Sequence, residues 1–124
     1  MAQRNPPHPP YVLVIEDDPI LMMAMVEFVE NAGCEAVEAR TVAEAIRILE
    51  TRADIRTVFT DLDMRGSTAG MKFAVAIRDR WPPIELVMIS SCPWDAAQIP
   101  ARGVLLGKPF DRRKIEAAIR AFAA

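Results

Sequence analysis

Three short stretches carry the residues that could do chemistry: Glu16-Asp17-Asp18 after the apolar YVLVI, Asp61 after TVFT, and Lys108-Pro109-Phe110 after VLLG. Each charged group follows an apolar run that reads as a buried strand. In an open parallel sheet the strand ends on one edge converge, so carboxylates and an ammonium far apart in sequence can line one pocket. Carboxylates gathered that closely repel, and a small, hard, oxygen-seeking divalent cation answers the repulsion. Mg2+ is the expected ion, with Mn2+ able to substitute. The same arrangement is prepared to receive a phosphoryl group.

The elements that must position these residues alternate between strand-length apolar runs and longer helical patterns, which points to repeated parallel crossover units. The spacing predicts strands over 11–15, 35–39, 55–60, 84–89 and 104–106. Asp18-Pro19 caps and opens a helix to about residue 32, with Leu21, Met25, Phe28 and Ala32 on one face and Gly33 as its stop. Thr41 to Glu44 reads as a capping box, followed by Val42, Ala45, Ile46 and Leu49 at helical spacing. A loop over 61–69 leads into a helix that buries Phe73, Ile77 and Trp81 and ends at Pro82-Pro83. Asp111 caps a last helix with Ile115, Ala118, Ile119 and Phe122 inward.

Taken together and in this order, the strand-end residues resemble the receiver domain of two-component response regulators. The resemblance runs over residues 11–124 and leaves 1–10 as a proline-rich tail without regular structure. It implies a flavodoxin-like, doubly wound α/β fold: a five-stranded parallel sheet in the order 2-1-3-4-5, with helices on both faces. Sheets of that order bind ligands where strands 1 and 3 diverge, and Glu16, Asp17 and Asp61 fall at that point.

In the receiver family the phospho-accepting aspartate matches Asp61, and the resemblance implies that it takes a phosphoryl group from a sensor histidine kinase or a histidine phosphotransfer protein. Mg2+ would be held by Asp17 and Asp61, by Glu16 directly or through water, and by the backbone carbonyl of Asp63. Ser90 matches the switch hydroxyl and Lys108 the phosphate-pairing lysine, with the Lys108-Pro109 peptide cis. Asp63, Cys92 and Leu105 fall where the family tunes the site. No enzymatic turnover is implied beyond slow self-dephosphorylation.

The chain departs from the family in three places. Between Ser90 and Lys108 it is short and carries Pro93 and Pro100, so the fourth helix is expected to shrink to about 94–99 or to be absent. The aromatic switch partner three residues before the lysine is Leu105, so ring rotation coupled to Ser90 cannot operate. The loop after Asp61 reads MRGSTAG, one residue longer than usual. Trp94 has two readings: a partner surface, or a ring folded back over the sheet edge.

Composition narrows the function classes. A chain of 124 residues holds one domain, and 15 Lys and Arg against 17 Asp and Glu give a formal charge of -2, which offers no basic field for nucleic acid. The longest apolar run, 20–26, is far short of the roughly 20 residues that cross a membrane. Neither of the two cysteines, Cys34 and Cys92, sits in a metal or redox spacing. These features suit a cytoplasmic, soluble protein, monomeric or weakly dimeric, that partners neither nucleic acid nor membrane and acts through protein binding. His8, the sole histidine, reads as an idle tail residue.

Two other classes compete. Asp61-Leu62-Asp63 also matches the DxD core of haloacid-dehalogenase-like phosphatases, with Asp61 as nucleophile and Asp63 as general acid, although that motif normally ends the first strand. A phosphorylation-independent interaction module is the third reading, and the full set of Asp17, Asp61, Ser90 and Lys108 argues against it.

Overall fold

A computed structural model describes residues 8–64 and 67–123; Arg65 and Gly66 of the expected long loop, and the first seven residues of the expected tail, lie outside them. The elements run β1 (Tyr11–Ile15), α1 (Pro19–Asn31), β2 (Glu35–Ala39), α2 (Val42–Thr51), β3 (Ile55–Asp61), α3 (Ser67–Arg80), β4 (Glu85–Ser90), β5 (Gly103–Gly107) and α4 (Arg112–Ala123). All strand pairings are parallel, in the order β2-β1-β3-β4-β5.

Strand side chains alternate between the two faces, and each face has its own core. Leu13 and Ile15 of β1, with Leu86 and Met88 of β4, pack against Ala45 and Leu49 of α2 and Phe73 and Ile77 of α3. Val12 and Val14, with Val87 and Ile89, pack against Met22, Met25 and Val29 of α1 and Ile115 and Ile119 of α4. Because the central strands are covered on both sides, β1 and β4 carry apolar runs, YVLVI and LVMI, while β3 also buries Thr57 and Thr60.

The helix starts follow their caps. Asp18 Oδ1 accepts from the Ile20 amide at 2.9 Å with Pro19 in the first turn, Thr41 Oγ1 accepts from the Glu44 amide at 3.1 Å, and Asp111 Oδ1 accepts from the Arg113 amide at 3.1 Å. The buried face of α1 differs from expectation. Met22, Met25 and Val29 are buried, whereas Leu21 and Phe28 are half-buried. The helix packs on α4 as well as on the sheet, and the Phe28 ring meets Phe110, just before α4, edge to face at 6.2 Å. Ile20 and Met23 remain 79% and 73% exposed.

The expected loss of helix between Ser90 and Lys108 is observed: only a 3-10 turn, Ala96–Gln98, is left there. Trp94 folds back and packs with Leu105 and Ile99 onto the core shared with α2 and α3. Arg78 near the end of α3 pins the segment, donating to the carbonyls of Ala101 at 2.6 Å, Pro82 at 2.6 Å and Arg102 at 3.2 Å.

Other departures are small. Helix α3 begins at Ser67, so the loop after Asp61 is shorter than expected, and Gly70 lets the helix lie close against that loop, since a Cβ there would sit 2.4 Å from the Leu62 carbonyl oxygen. The residues just before β1 are tied down: His8 stacks on the Tyr11 ring at 4.6 Å, and the Pro10 carbonyl accepts from the Glu35 amide at 2.8 Å.

Candidate functional site

Parallel pairing brings the carboxyl ends of β1, β3, β4 and β5 to one edge. Glu16 follows β1 and is 2% exposed, Asp61 ends β3 at 3%, and Ser90 ends β4 at 2%. The Lys108 amide donates to the Ser90 carbonyl at 3.2 Å, which extends the β4–β5 ladder one residue into the site. The Lys108-Pro109 peptide is cis.

Lys108 is the electrostatic centre. Its Nζ lies 3.0 Å from both carboxylate oxygens of Asp61 and 3.0 Å from Asp63 Oδ2. Burial works against the ammonium, but Asp63 and Asp61 outweigh it and hold the Lys108 pKa above its ordinary value. A charged amine clamped between two carboxylates is a fixed cation, placed to meet an anion bonded to Asp61.

Glu16 is the least settled group. Oε2 accepts from the Asp18 amide at 2.9 Å, while Oε1 is buried without a hydrogen-bond partner. Burial, followed by the adjacent Asp61 carboxyl, pushes Glu16 up to about 8, with Asp17 adding to the rise. Among the described residues no three of the His, Cys, Asp and Glu side chains are arranged to hold a metal ion as they stand. The donor chemistry nevertheless fits a hard divalent cation. An orphaned buried carboxylate oxygen, beside two further carboxylates, lacks the positive charge that such an ion provides. Of the expected ligands, Glu16 adjoins Asp17 and Asp61; from Asp63 the expected ligand is the backbone carbonyl, which leaves its carboxylate available to other partners.

Asp63 instead faces β4. Its Oδ1 accepts the Ser90 hydroxyl at 2.7 Å, and its Oδ2 accepts the Ser91 amide at 2.8 Å and the Ser91 hydroxyl at 2.9 Å. Its own amide donates to Asp61 Oδ1 at 2.9 Å. Burial disfavours the charge, but donors on Ser90, Ser91 and Lys108 prevail and hold the carboxyl well below the usual carboxylate range. The Ser90 oxygen in turn accepts from the Cys92 amide at 3.0 Å and from Trp94 Nε1 at 3.2 Å.

Sequence reasoning singled out Ser90 but missed Ser91 and the indole contact. The Ser90-Ser91 doublet at a strand end was the available signal for the first. Cys92 meets Ser90 through its backbone, and half-buried Leu105 lies in the same core cluster as Trp94.

The model of the response regulator receiver domain matches residues 12–120. The chain belongs to the response regulator receiver family. A response regulator receiver protein of Pseudomonas putida is 25% identical, with 93% of this chain and 98% of that one covered and a TM-score of 0.78. One from Sinorhizobium medicae WSM419 is also 25% identical, with 91% and 93% covered and a TM-score of 0.78. A receiver domain protein of Clostridium thermocellum, 23% identical over 91% and 93% with a TM-score of 0.77, shares the fold. None of the curated proteins compared with the chain matches it. Receiver domains act as phosphoacceptors in two-component signalling, and among the described residues no helix of this receiver is long and apolar enough to cross a membrane.

Proposed function

We propose that this receiver accepts a phosphoryl group on Asp61 from a histidine kinase or a histidine phosphotransfer protein, and that the modified state changes its binding to a protein partner. The observation that carries the reading is the buried Asp61 carboxylate with both oxygens 3.0 Å from Lys108 Nζ. A carboxylate oxygen of Asp61 attacks the phosphorus of a phosphohistidine. The new O–P bond forms as the P–N bond breaks, and the electron pair stays on the imidazole nitrogen, which then takes a proton. Acetyl phosphate would react in the same way, with acetate leaving on the electron pair of its P–O bond.

The chain's own groups serve the transfer by position and charge. Lys108 pairs with a phosphoryl oxygen as negative charge arrives. The Ser90 hydroxyl, at the end of β4, and the Ser91 amide, just after it, are donors within the same cluster. Glu16, Asp17, Asp61 and the Asp63 carbonyl would hold Mg2+, which when bound supplies positive charge against the repulsion between carboxylates and phosphoryl oxygens. The phosphatase reading is disfavoured, because Asp63 would have to donate a proton at neutral pH and its carboxyl is held well below the usual range.

The test is intact mass after incubation with acetyl phosphate and Mg2+. One added phosphoryl group is expected in the natural chain and none in Asp61→Asn; labelling that persists in Asp61→Asn refutes the assignment.

A further inference from the structure

The donors around the site already hold an anion, and it is part of the chain. Asp63 Oδ1 takes the Ser90 hydroxyl at 2.7 Å, and Oδ2 takes the Ser91 amide at 2.8 Å, the Ser91 hydroxyl at 2.9 Å and Lys108 Nζ at 3.0 Å. A carboxylate satisfied by three hydrogen-bond donors and an ammonium is bound as a small oxyanion would be. The side chain is about one-fifth exposed, as is Lys108, so the carboxylate sits at the mouth of the site and not in the core. Lys108 is shared, because the same Nζ reaches both Asp61 oxygens. No single ammonium can keep all these contacts and also pair fully with a phosphoryl group on Asp61, since it has three protons to donate.

We infer that Asp63 is an internal competitor for the phosphoryl cradle: its carboxylate, held in addition by the Ser91 hydroxyl, occupies the Ser90 hydroxyl, Ser91 amide and Lys108 ammonium that a phosphoryl group on Asp61 needs, and it must swing out before Asp61 is modified or the modified state is stabilised. The inference rests on the proposal that Asp61 is the acceptor. The cost of displacement is set by charge-assisted hydrogen bonds, which are the strong kind, and the apparent reactivity falls by the fraction of molecules in which the cradle is free. The competitor also holds the Ser90 hydroxyl in place. Ser90 donates to Asp63 while accepting from the Trp94 indole, so departure of the carboxylate releases the hydroxyl for another acceptor.

A structural role for Asp63 and a competing role predict opposite pairings of stability and reactivity. Asp63→Asn keeps the side chain's shape but loses the charge that holds Lys108, and Asp63→Ala removes the group altogether. With acetyl phosphate and saturating Mg2+, both variants should show an initial rate of phosphoryl gain raised roughly fivefold or more, while their melting temperatures fall because Ser90, Ser91 and Lys108 lose a charged partner. A residue with only a structural role would lower both. Ser91→Ala supplies a check at constant charge: it removes one donor to Asp63 and should raise the rate in the same direction by a smaller factor. An unchanged or reduced rate in the Asp63 variants overturns the competition. A rise in them with no rise in Ser91→Ala also overturns it, because charge alone would then suffice. Asp61→Asn, run in parallel, separates the two levels: label retained there sinks the acceptor assignment, whereas label lost there with equal rates elsewhere sinks only the competition.

Discussion

The indole N–H of Trp94 donates to the Ser90 hydroxyl oxygen at 3.2 Å, across a segment where the 3-10 turn Ala96–Gln98 is all the helix there is. The ring thereby touches the hydroxyl that donates to Asp63 while lying, with Leu105, against the core. If Ser90 turns toward a modified Asp61, the indole loses or changes its acceptor. Tryptophan emission should therefore shift on incubation with acetyl phosphate and Mg2+ in the natural chain and in Trp81→Phe, but not in Trp94→Phe. A signal that survives Trp94→Phe would place the reporter elsewhere.

Glu16 should be a liability in the metal-free protein. Its buried Oε1 lacks a partner and its pKa is raised to about 8, so the folded state binds a proton that the unfolded chain, at about 4.5, has released. Between those values folding is opposed increasingly as pH rises; the penalty is absent below the window and complete above it. In EDTA, stability should decline from about pH 4.5 to about 8, and Glu16→Gln should flatten this slope. At pH 8 in EDTA the variant should be more stable than the natural chain, and at pH 4.5 the difference should vanish. Denaturant melts across the pH range check it; a parallel slope in the variant would exclude Glu16 as the cause.

Asp17→Ala and Lys108→Ala should separate cation binding from phosphoryl binding. Loss of the Asp17 carboxylate should abolish Mg2+ binding and phosphorylation together. Loss of Lys108 removes a positive charge 3.0 Å from Asp61, so Mg2+ affinity should hold or rise while phosphorylation falls about tenfold or more. Isothermal titration with MgCl2, beside mass measurement with acetyl phosphate, gives both readings. Equal loss of Mg2+ affinity in the two variants would contradict the division.

Exposed Ile20 and Met23, at 79% and 73%, leave the first turns of α1 with an uncovered apolar surface beside the acidic site. Met23→Glu should slow transfer from the cognate phosphodonor protein by about tenfold and leave the acetyl phosphate rate unchanged. Slowing of both donors alike would mean a damaged site and not a lost contact.

How much was legible in the sequence differs by the kind of force involved. The strand order followed from resemblance, but β1 and β4 were plain because they are covered on both faces and so carry apolar runs, YVLVI and LVMI, while β3 showed only the short Val58-Phe59 pair between threonines. The convergence of Glu16, Asp61, Ser90 and Lys108 was legible too, since parallel strands ending at one edge leave few other places for those residues. The buried face of α1 was not, because the helix packs on α4, far along the chain, as well as on the sheet. The orientation of Asp63 was missed for a similar reason: a DxD spacing tells that a carboxylate is near the site, but not that Ser91 supplies two donors from the neighbouring strand to turn it.

The near absence of a helix before β5 also bears on how the molecule avoids its own kind. β5 lies at the edge of the sheet with Val104, Leu105 and Leu106 only half-buried, and an edge strand presents backbone groups that other extended chains can pair with. Here that template is five residues long. Pro100 and Pro109 stand just beyond its two ends, and neither has an amide proton to extend a ladder. Arg102, at φ 59°, turns the backbone immediately before the strand begins and is tied to Glu85 at 2.5 Å. The strand is thus short and sharply bounded at both ends, and such a boundary limits the length over which another extended chain can pair with this edge.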